Sequence, residues 1–325
     1  MNVLLVVGDA AALTGSDTTL RTRLQTTLGH AVTLVSDHDA APNLSGTQAV
    51  VFAPSCNNNA ISAKYDNAPC GVFAMGVEPH SAFTGGSYAG NGGGQYDFEV
   101  VAAGDPLLGG QTGIIELLSG PPSENFTYFE DGGLTTDVVQ VLKRNTIRVA
   151  LARAPQGAIV FGGVRLPTRR VFFTPNEGWP QLFSTAAWTI FDNAVAYIGA
   201  APGQFPTANA GLDQEVETGD VVQLNGSASS DPDGTIQTYT WRVISNSGPA
   251  ITLSSTTTAN PTFTAPATAC TIVLGLVVRD NHADQLKSTE DTVRIDVVSH
   301  LVVRYAQGGL WIEKPVYAAK NGSWY

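Results

Sequence analysis

The chain has 325 residues, more than one hydrophobic core ordinarily supports, so two domains are expected. Hydrophobic residues make up 43% and charged residues only 14%, which excludes global disorder. Twenty-eight acids against 17 bases give a net charge of −11, a balance that repels phosphate backbones and argues against nucleic-acid binding.

No stretch approaches about 18 uninterrupted apolar residues, so no membrane insertion is expected. The run Asn2 to Val7 has no basic segment before it and soon meets Asp9, so it reads as a first β-strand and not a signal peptide. Ser16 or Asp17 can cap a helix whose Leu20, Leu24 and Leu28 share one face, with Gly29 where a left-handed C-terminal residue is wanted. Ala31 to Val35, Ala49 to Ala53 and Cys70 to Val77 follow as nearly continuous apolar strands, the pattern of a parallel sheet covered on both faces. Gly85 to Gly94 carries enough glycine to read as a flexible loop. Short β-rich segments come next at Tyr96 to Ala102, Val138 to Val141, Arg148 to Ala152 and Ala158 to Phe161. A last strand, Arg170 to Thr174, feeds a helix in which Leu182, Phe183, Ala186, Ala187, Ile190, Phe191, Ala194 and Val195 recur in pairs every four residues. Strand and helix patterns in alternation predict an α/β domain over 1–199.

Gly199 to Pro206 is rich in proline and glycine, which places a linker at 200–205. The pattern then becomes all-β, with about seven short strands over 206–298, as in an antiparallel sandwich. Residues 201–298 hold four bases and eleven acids, whereas 299–325 hold three bases and one acid, so the tail reads as a separate unit. Cys56, Cys70 and Cys270 show no metal-ligand spacing; they read as buried free thiols, with a Cys56–Cys70 bridge as the alternative in an oxidising setting.

Residues 206–298 resemble the PKD family of immunoglobulin-like sandwiches. The resemblance is carried by Ala210-Gly-Leu-Asp-Gln214, Gly219 to Gly226, Ser229-Ser-Asp-Pro-Asp-Gly234, Tyr239-Thr-Trp241, Pro261 to Pro266 and Val278-Arg-Asp-Asn281. It implies a spacer or adhesion module with Trp241 in the core. Asp231, Asp233 and Asp280 lie on what would be adjacent loops, where hard oxygen ligands suit calcium, although capping of turns is an alternative role for the same carboxylates. No other cofactor is expected.

Residues 1–199 look like glutamine-amidotransferase-like, flavodoxin-type three-layer α/β domains, through Arg169 to Phe173, Gly178-Trp179 and the Leu182 to Ala194 helix. Catalytic members place a cysteine on a glycine-flanked strand-to-helix elbow, but here the fourth strand ends Met75-Gly-Val-Glu-Pro79, so no catalysis is expected. Cys56, with His38, Glu78 and His80 near the same edge, is the one alternative thiol nucleophile. Gly8 to Gly15 fits neither dinucleotide nor P-loop spacing.

Gly309-Leu-Trp311, Lys314-Pro-Val316 and Gly322-Ser-Trp324 look like the ends of virion proteins from bacteriophages of actinobacteria. The segment reads as a short β-hairpin in which Trp311, Lys314, Pro315 and Trp324 bind a partner, or else fold back on their own sandwich. Together the resemblances imply a structural virion protein of a tailed bacteriophage, a minor tail or capsid decoration protein assembled in the host cytoplasm. Its partners would be other virion subunits, further copies of itself within the particle, and a host-surface polymer or protein. A bacterial cell-surface or exported PKD protein is the first alternative, and an amidotransferase-like hydrolase the second.

Overall fold

β1 (Asn2–Val7) is buried at every residue but its first, the mark of a strand covered on both faces. The computed structural model describes residues 1–40, 42–57, 64–65, 67–76, 97–119, 134–144, 148–160, 163–173 and 178–299, and the backbone of 88–92, 126–130, 301–307 and 310–316. These fall into two units, Met1–Pro202 and Gly203–Tyr325.

In the first unit β1 leads to helix α1 (Gly15–Thr22). Thr14, and not Ser16 or Asp17, is the N-cap: it accepts from the Asp17 amide while Asp17 accepts from its own, a reciprocal capping box that leaves Ser16 and Asp17 buried in the first turn. The helix runs on through a π-helical turn, Arg23–Thr27, to Gly29, whose φ of +68° is the expected left-handed exit. The strands that follow are β2 (Ala31–Ser36), β3 (Ala49–Phe52), β4 (Gly71–Met75), β5 (Tyr88–Gly92), β6 (Asp97–Val100), β7 (Ile114–Glu116), β8 (Phe126–Glu130), β9 (Val139–Lys143), β10 (Arg148–Ala154) and β11 (Arg170–Phe173). α2 (Thr185–Gly199), capped by Ser184, closes the unit.

One sheet joins them in the order β2-β1-β3-β4-β11-β10-β9-β6-β7, with β8 also on β10 and β5 on β8. From β2 to β11 all neighbours are parallel; from β11 outward they are antiparallel. Alternate residues divide between two cores. Val3, Leu5 and Val7 pack with Leu20, Phe191 and Val195 under the helices, whereas Leu4, Val6, Val50 and Phe52 pack with Tyr65, Ala68, Val160 and Leu166.

That division corrects the flavodoxin-type, three-layer expectation. Among the described residues there are two α-helices, and the second face is covered by irregular chain in place of a helical layer. Tyr65 substitutes for a helix by setting its ring edge-on to Phe52, with centroids 4.9 Å apart. Two local readings also change. Tyr88–Gly92, expected to be loop, is a strand because Phe126–Glu130 supplies its partner, and Ala158–Phe161 contributes only an isolated bridge from Ile159 to Arg165.

The second unit holds β12 (Gln214–Glu217), β13 (Val221–Gln223), β14 (Ile236–Asn246), β15 (Thr262–Thr264), β16 (Cys270–Asp280), β17 (Asp291–Val298), β18 (Leu301–Gln307) and β19 (Leu310–Val316). β12-β17-β16-β14 form one sheet and β13-β15 another, so the described strands of the sandwich number six, fewer than the pattern suggests. Alternation along β16 and β17 turns Ile272, Leu274, Leu276, Val293 and Ile295 into the core with Val222, Leu224 and Phe263. Trp241 is 2% exposed at its centre, and its indole N–H donates to the Thr258 carbonyl at 3.1 Å. β18 and β19 pair with each other alone, Leu301 opposite Val316 and Ala306 opposite Trp311.

Candidate functional site

In an open α/β sheet, ligands enter where the strand order reverses, beyond the carboxyl ends of the strands. Here that place is the ends of β1 and β3, and the chain fills it with its own side chains. The Gly8 amide donates to Ser55 Oγ at 3.0 Å, and Ser55 Oγ donates to Asp17 Oδ1 at 2.6 Å. Gly8 is required by the close approach, since a Cβ there would sit 2.6 Å from the Ser55 carbonyl oxygen. Asp17, fully buried, is satisfied by Ser55 and the Thr14 amide. A serine hydroxyl donating to a carboxylate with no imidazole between them is a tether from helix to sheet, and it lacks the base that a nucleophile needs.

Cys56 is the adjoining residue. Its thiol is buried and donates to the Val6 carbonyl at 3.2 Å. Burial first, then the charges of Asp37 and Asp17, push the thiol far above its ordinary range, so the thiolate that would attack a substrate is disfavoured. His38 is mostly exposed and reaches the Asp37 carboxylate at 3.3 Å. Glu78 and His80 lie outside the described residues. All three cysteines are free, Cys56 and Cys70 buried and Cys270 partly so.

A cleft of about 340 Å³ lies at the antiparallel end of the sheet, lined by Asp97, Glu99, Lys143, Arg144 and Arg148 with Phe98 and Ile114. Its walls carry both charge signs, with Glu99 opposite Lys143 across β6 and β9, so no single ligand charge is selected.

The loops of the sandwich bring together another set. Asp280 ends β16 and is 0% exposed; its Oδ1 accepts from the amides of His282 at 3.1 Å and Leu286 at 2.8 Å. The 231–235 turn packs on this corner, with the Thr235 amide donating to Asn281 Oδ1 at 3.0 Å and the Asn281 amide to the Thr235 carbonyl at 3.1 Å. Burial foremost, and then the neighbouring Asp233 and Asp280 carboxylates, hold Asp231 above the usual carboxyl range, against a hydrogen bond from the Asp233 backbone that lowers it. Asp233 is exposed, and its Oδ2 takes the Gln204 amide at 2.9 Å. Among the described residues no three His, Cys, Asp or Glu side chains are gathered as metal ligands, so Asp231, Asp233 and Asp280 do not form a closed cage of three carboxylates.

Of the expected partner-binding residues, Trp311, Lys314 and Pro315 lie on β19, opposite Ala306, Val303 and Val302. Their side chains, and the whole of Trp324, lie outside the described residues. No helix among the described residues is long and apolar enough to cross a membrane.

A family model for a PKD domain matches residues 210–297. Those residues are a PKD domain. A solved PKD domain, from KIAA 1837 protein, is 29% identical and covers 31% of this chain and 93% of its own, with a TM-score of 0.25. A candidate GMP synthase protein from Thermoplasma acidophilum is 14% identical over 61% of this chain and 94% of its own, TM-score 0.38. A nucleoside hydrolase-related hypothetical protein from Saccharophagus degradans, associated with carbohydrate metabolism, is 13% identical over 91% of this chain and 99% of its own, TM-score 0.29. Overlays at these scores bear on no activity. No curated protein matches the chain.

The PKD domain contains the acidic corner just described, between the β14 end at Ile236 and the β16 end at Asp280, which face each other in register. Sequence reasoning places Asp231 and Asp280 on adjacent loops but misses Asn281 as a bridge between them. The Asp-Asn pair that ends a long strand opposite an Asp-Pro-Asp-Gly turn was the available signal.

Proposed function

We propose that the chain is a non-catalytic structural protein in which the PKD domain acts as an adhesion or spacer module, built into the virion of a tailed bacteriophage as a minor tail or capsid decoration protein. The PKD match over 210–297, closed around a buried Trp241, carries the module half of this reading. The aromatic segment from Gly309 to Trp324 supports the virion half, with Trp311, Lys314, Pro315 and Trp324 as contacts to other virion subunits. Copies of the chain meet within the particle, and the module touches a host-surface polymer or protein. The first unit is read as an amidotransferase-like, flavodoxin-type domain without chemistry. The parallel run β2-β1-β3-β4-β11 and the protonated, buried Cys56 thiol support that assignment. The charge of −11 supports partners other than nucleic acid.

Mass spectrometry of gradient-purified particles tests the reading, with the full chain and a chain lacking residues 301–325 supplied in turn. The full chain is expected in particles and the shortened one is expected to stay in the supernatant, soluble and folded. Absence of the full chain from particles overturns the virion assignment. Normal incorporation of the shortened chain overturns the anchoring role.

A further inference from the structure

Buried carboxylate oxygens are ordinarily hydrogen-bonded or bound to a cation, because leaving them bare forfeits hydration for nothing in return. The PKD domain carries two such oxygens at one corner. Asp280 Oδ2 and Asp231 Oδ1 are both shielded from solvent and have no hydrogen-bond partner, while the opposite oxygen of Asp280 is occupied by two backbone amides. The amide oxygen of Asn281 joins them. A Cβ on Gly234 would lie 2.3 Å from Asn281 Oδ1 and 2.6 Å from Asp231 Oδ2, so these two oxygens converge beside a residue that has no side chain to separate them. No Lys, Arg or His forms an ion pair with Asp231, Asp233 or Asp280 among the described residues. Negative charge is therefore gathered at a partly dry corner with nothing in the described chain to neutralise it.

We propose that Asp231, Asp280 and the side-chain carbonyl of Asn281 hold one calcium ion, with the exposed Asp233 carboxylate adding negative charge at the rim. The donor set is oxygen throughout, which excludes the thiolate and imidazole sites that zinc or copper prefer. Two carboxylates and an amide carbonyl leave room for water or backbone carbonyls, and calcium accepts six to eight such oxygens in irregular geometry. Magnesium demands a near-ideal octahedron and gives up water reluctantly, so it fits a corner assembled from two loops less well. The site is independent of whether the protein belongs to a virion.

The test uses the full chain stripped with chelator, then titrated with calcium chloride by calorimetry and thermal melting, with magnesium chloride in parallel. The expected result is one calcium per chain, a saturable rise in melting temperature, and no comparable response to magnesium. Asp231→Asn should weaken calcium binding at least tenfold. In chelator the same variant should melt above the parent, because a bare carboxylate has become a neutral amide. Asp280→Asn, which keeps an Oδ1 for the His282 and Leu286 amides, should likewise weaken binding; if it does not fold, Asp231→Asn carries the test alone. No binding by the parent chain up to about 10 mM calcium, well above the range of extracellular modules, overturns the proposal. So does unchanged affinity in Asp231→Asn, and an equal response to magnesium overturns the choice of ion.

Discussion

Truncating Trp241 to alanine probes the PKD core at its most buried large side chain. The ring is 2% exposed, lies opposite Leu276 in the β14–β16 register, and touches the space above Gly226, whose added Cβ would meet the ring at 3.2 Å. Removing a buried tryptophan costs about 3 to 5 kcal/mol, and the stranded Thr258 carbonyl, which now receives the indole N–H, adds about 1. Domains of this size hold about 5 to 15 kcal/mol in all, and each kcal/mol moves the midpoint by about 4 to 8 °C. The variant should therefore melt at least about 15 °C lower. The fragment 203–298 contains Trp241 as its sole tryptophan, so its emission reports this site directly. Urea unfolding followed by circular dichroism should give a lower midpoint at unchanged slope for Trp241→Ala, with Trp241→Phe in between. Water-exposed emission from the parent fragment, or a loss under about 1.5 kcal/mol for the alanine variant, would refute a core built on this ring.

Overpacking offers the opposite perturbation: Gly226→Ala places a methyl 2.9 Å from both the Ala259 carbonyl and Leu276 Cδ2, and should cost about 1 to 3 kcal/mol in the same urea assay. Ser55→Ala removes the hydroxyl that satisfies Asp17 Oδ1 and the Gly8 amide, and should destabilise the first unit by about 1 to 3 kcal/mol by calorimetry; no change would mean the tether is idle. Cys56 has a folded-state pKa above its unfolded value, so its contribution to stability is fully present below the unfolded thiol pKa of about 8.5 and is lost as pH rises beyond it. Iodoacetamide at pH 8 should accordingly label the partly exposed Cys270 first and Cys56 only on unfolding; rapid labelling of native Cys56 would reopen the nucleophile reading.

What could be read from the sequence follows burial symmetry. β1, β3, β4 and β11 are buried on both faces, so each is a continuous apolar run that announces itself. α2 buries one stripe, and its paired spacing is equally plain. The cover on the second face has no period. It is made of single residues such as Tyr65, Val160 and Leu166, each placed by a distant partner, and a helical layer was assumed where none is seen among the described residues. Tyr88–Gly92 was missed because what orders a glycine-rich strand is its neighbour Phe126–Glu130, which local propensity does not contain. The helix cap was legible, since Thr14 and Asp17 have capping-box spacing, but Ser16 and Asp17 offered equally good side chains one turn too late.

The acidic corner shows how turn chemistry and ligand chemistry share the same residues. Asp231-Pro-Asp-Gly234 and Asp280-Asn281 are what two turns would use without any ligand, and Asp233, Asn281 and one oxygen of Asp280 do serve the backbone. Those capping roles account for Asp280 Oδ1 and leave Oδ2 over. A turn needs one acceptor from such a residue, and asparagine would provide it without a buried charge. The second oxygen, buried beside another bare carboxylate oxygen on Asp231, is a cost that capping does not explain and a cation would relieve. Melting Asp231→Asn with and without calcium separates the two roles: a purely capping residue shifts stability in the same direction in both conditions, whereas a ligand reverses the sign.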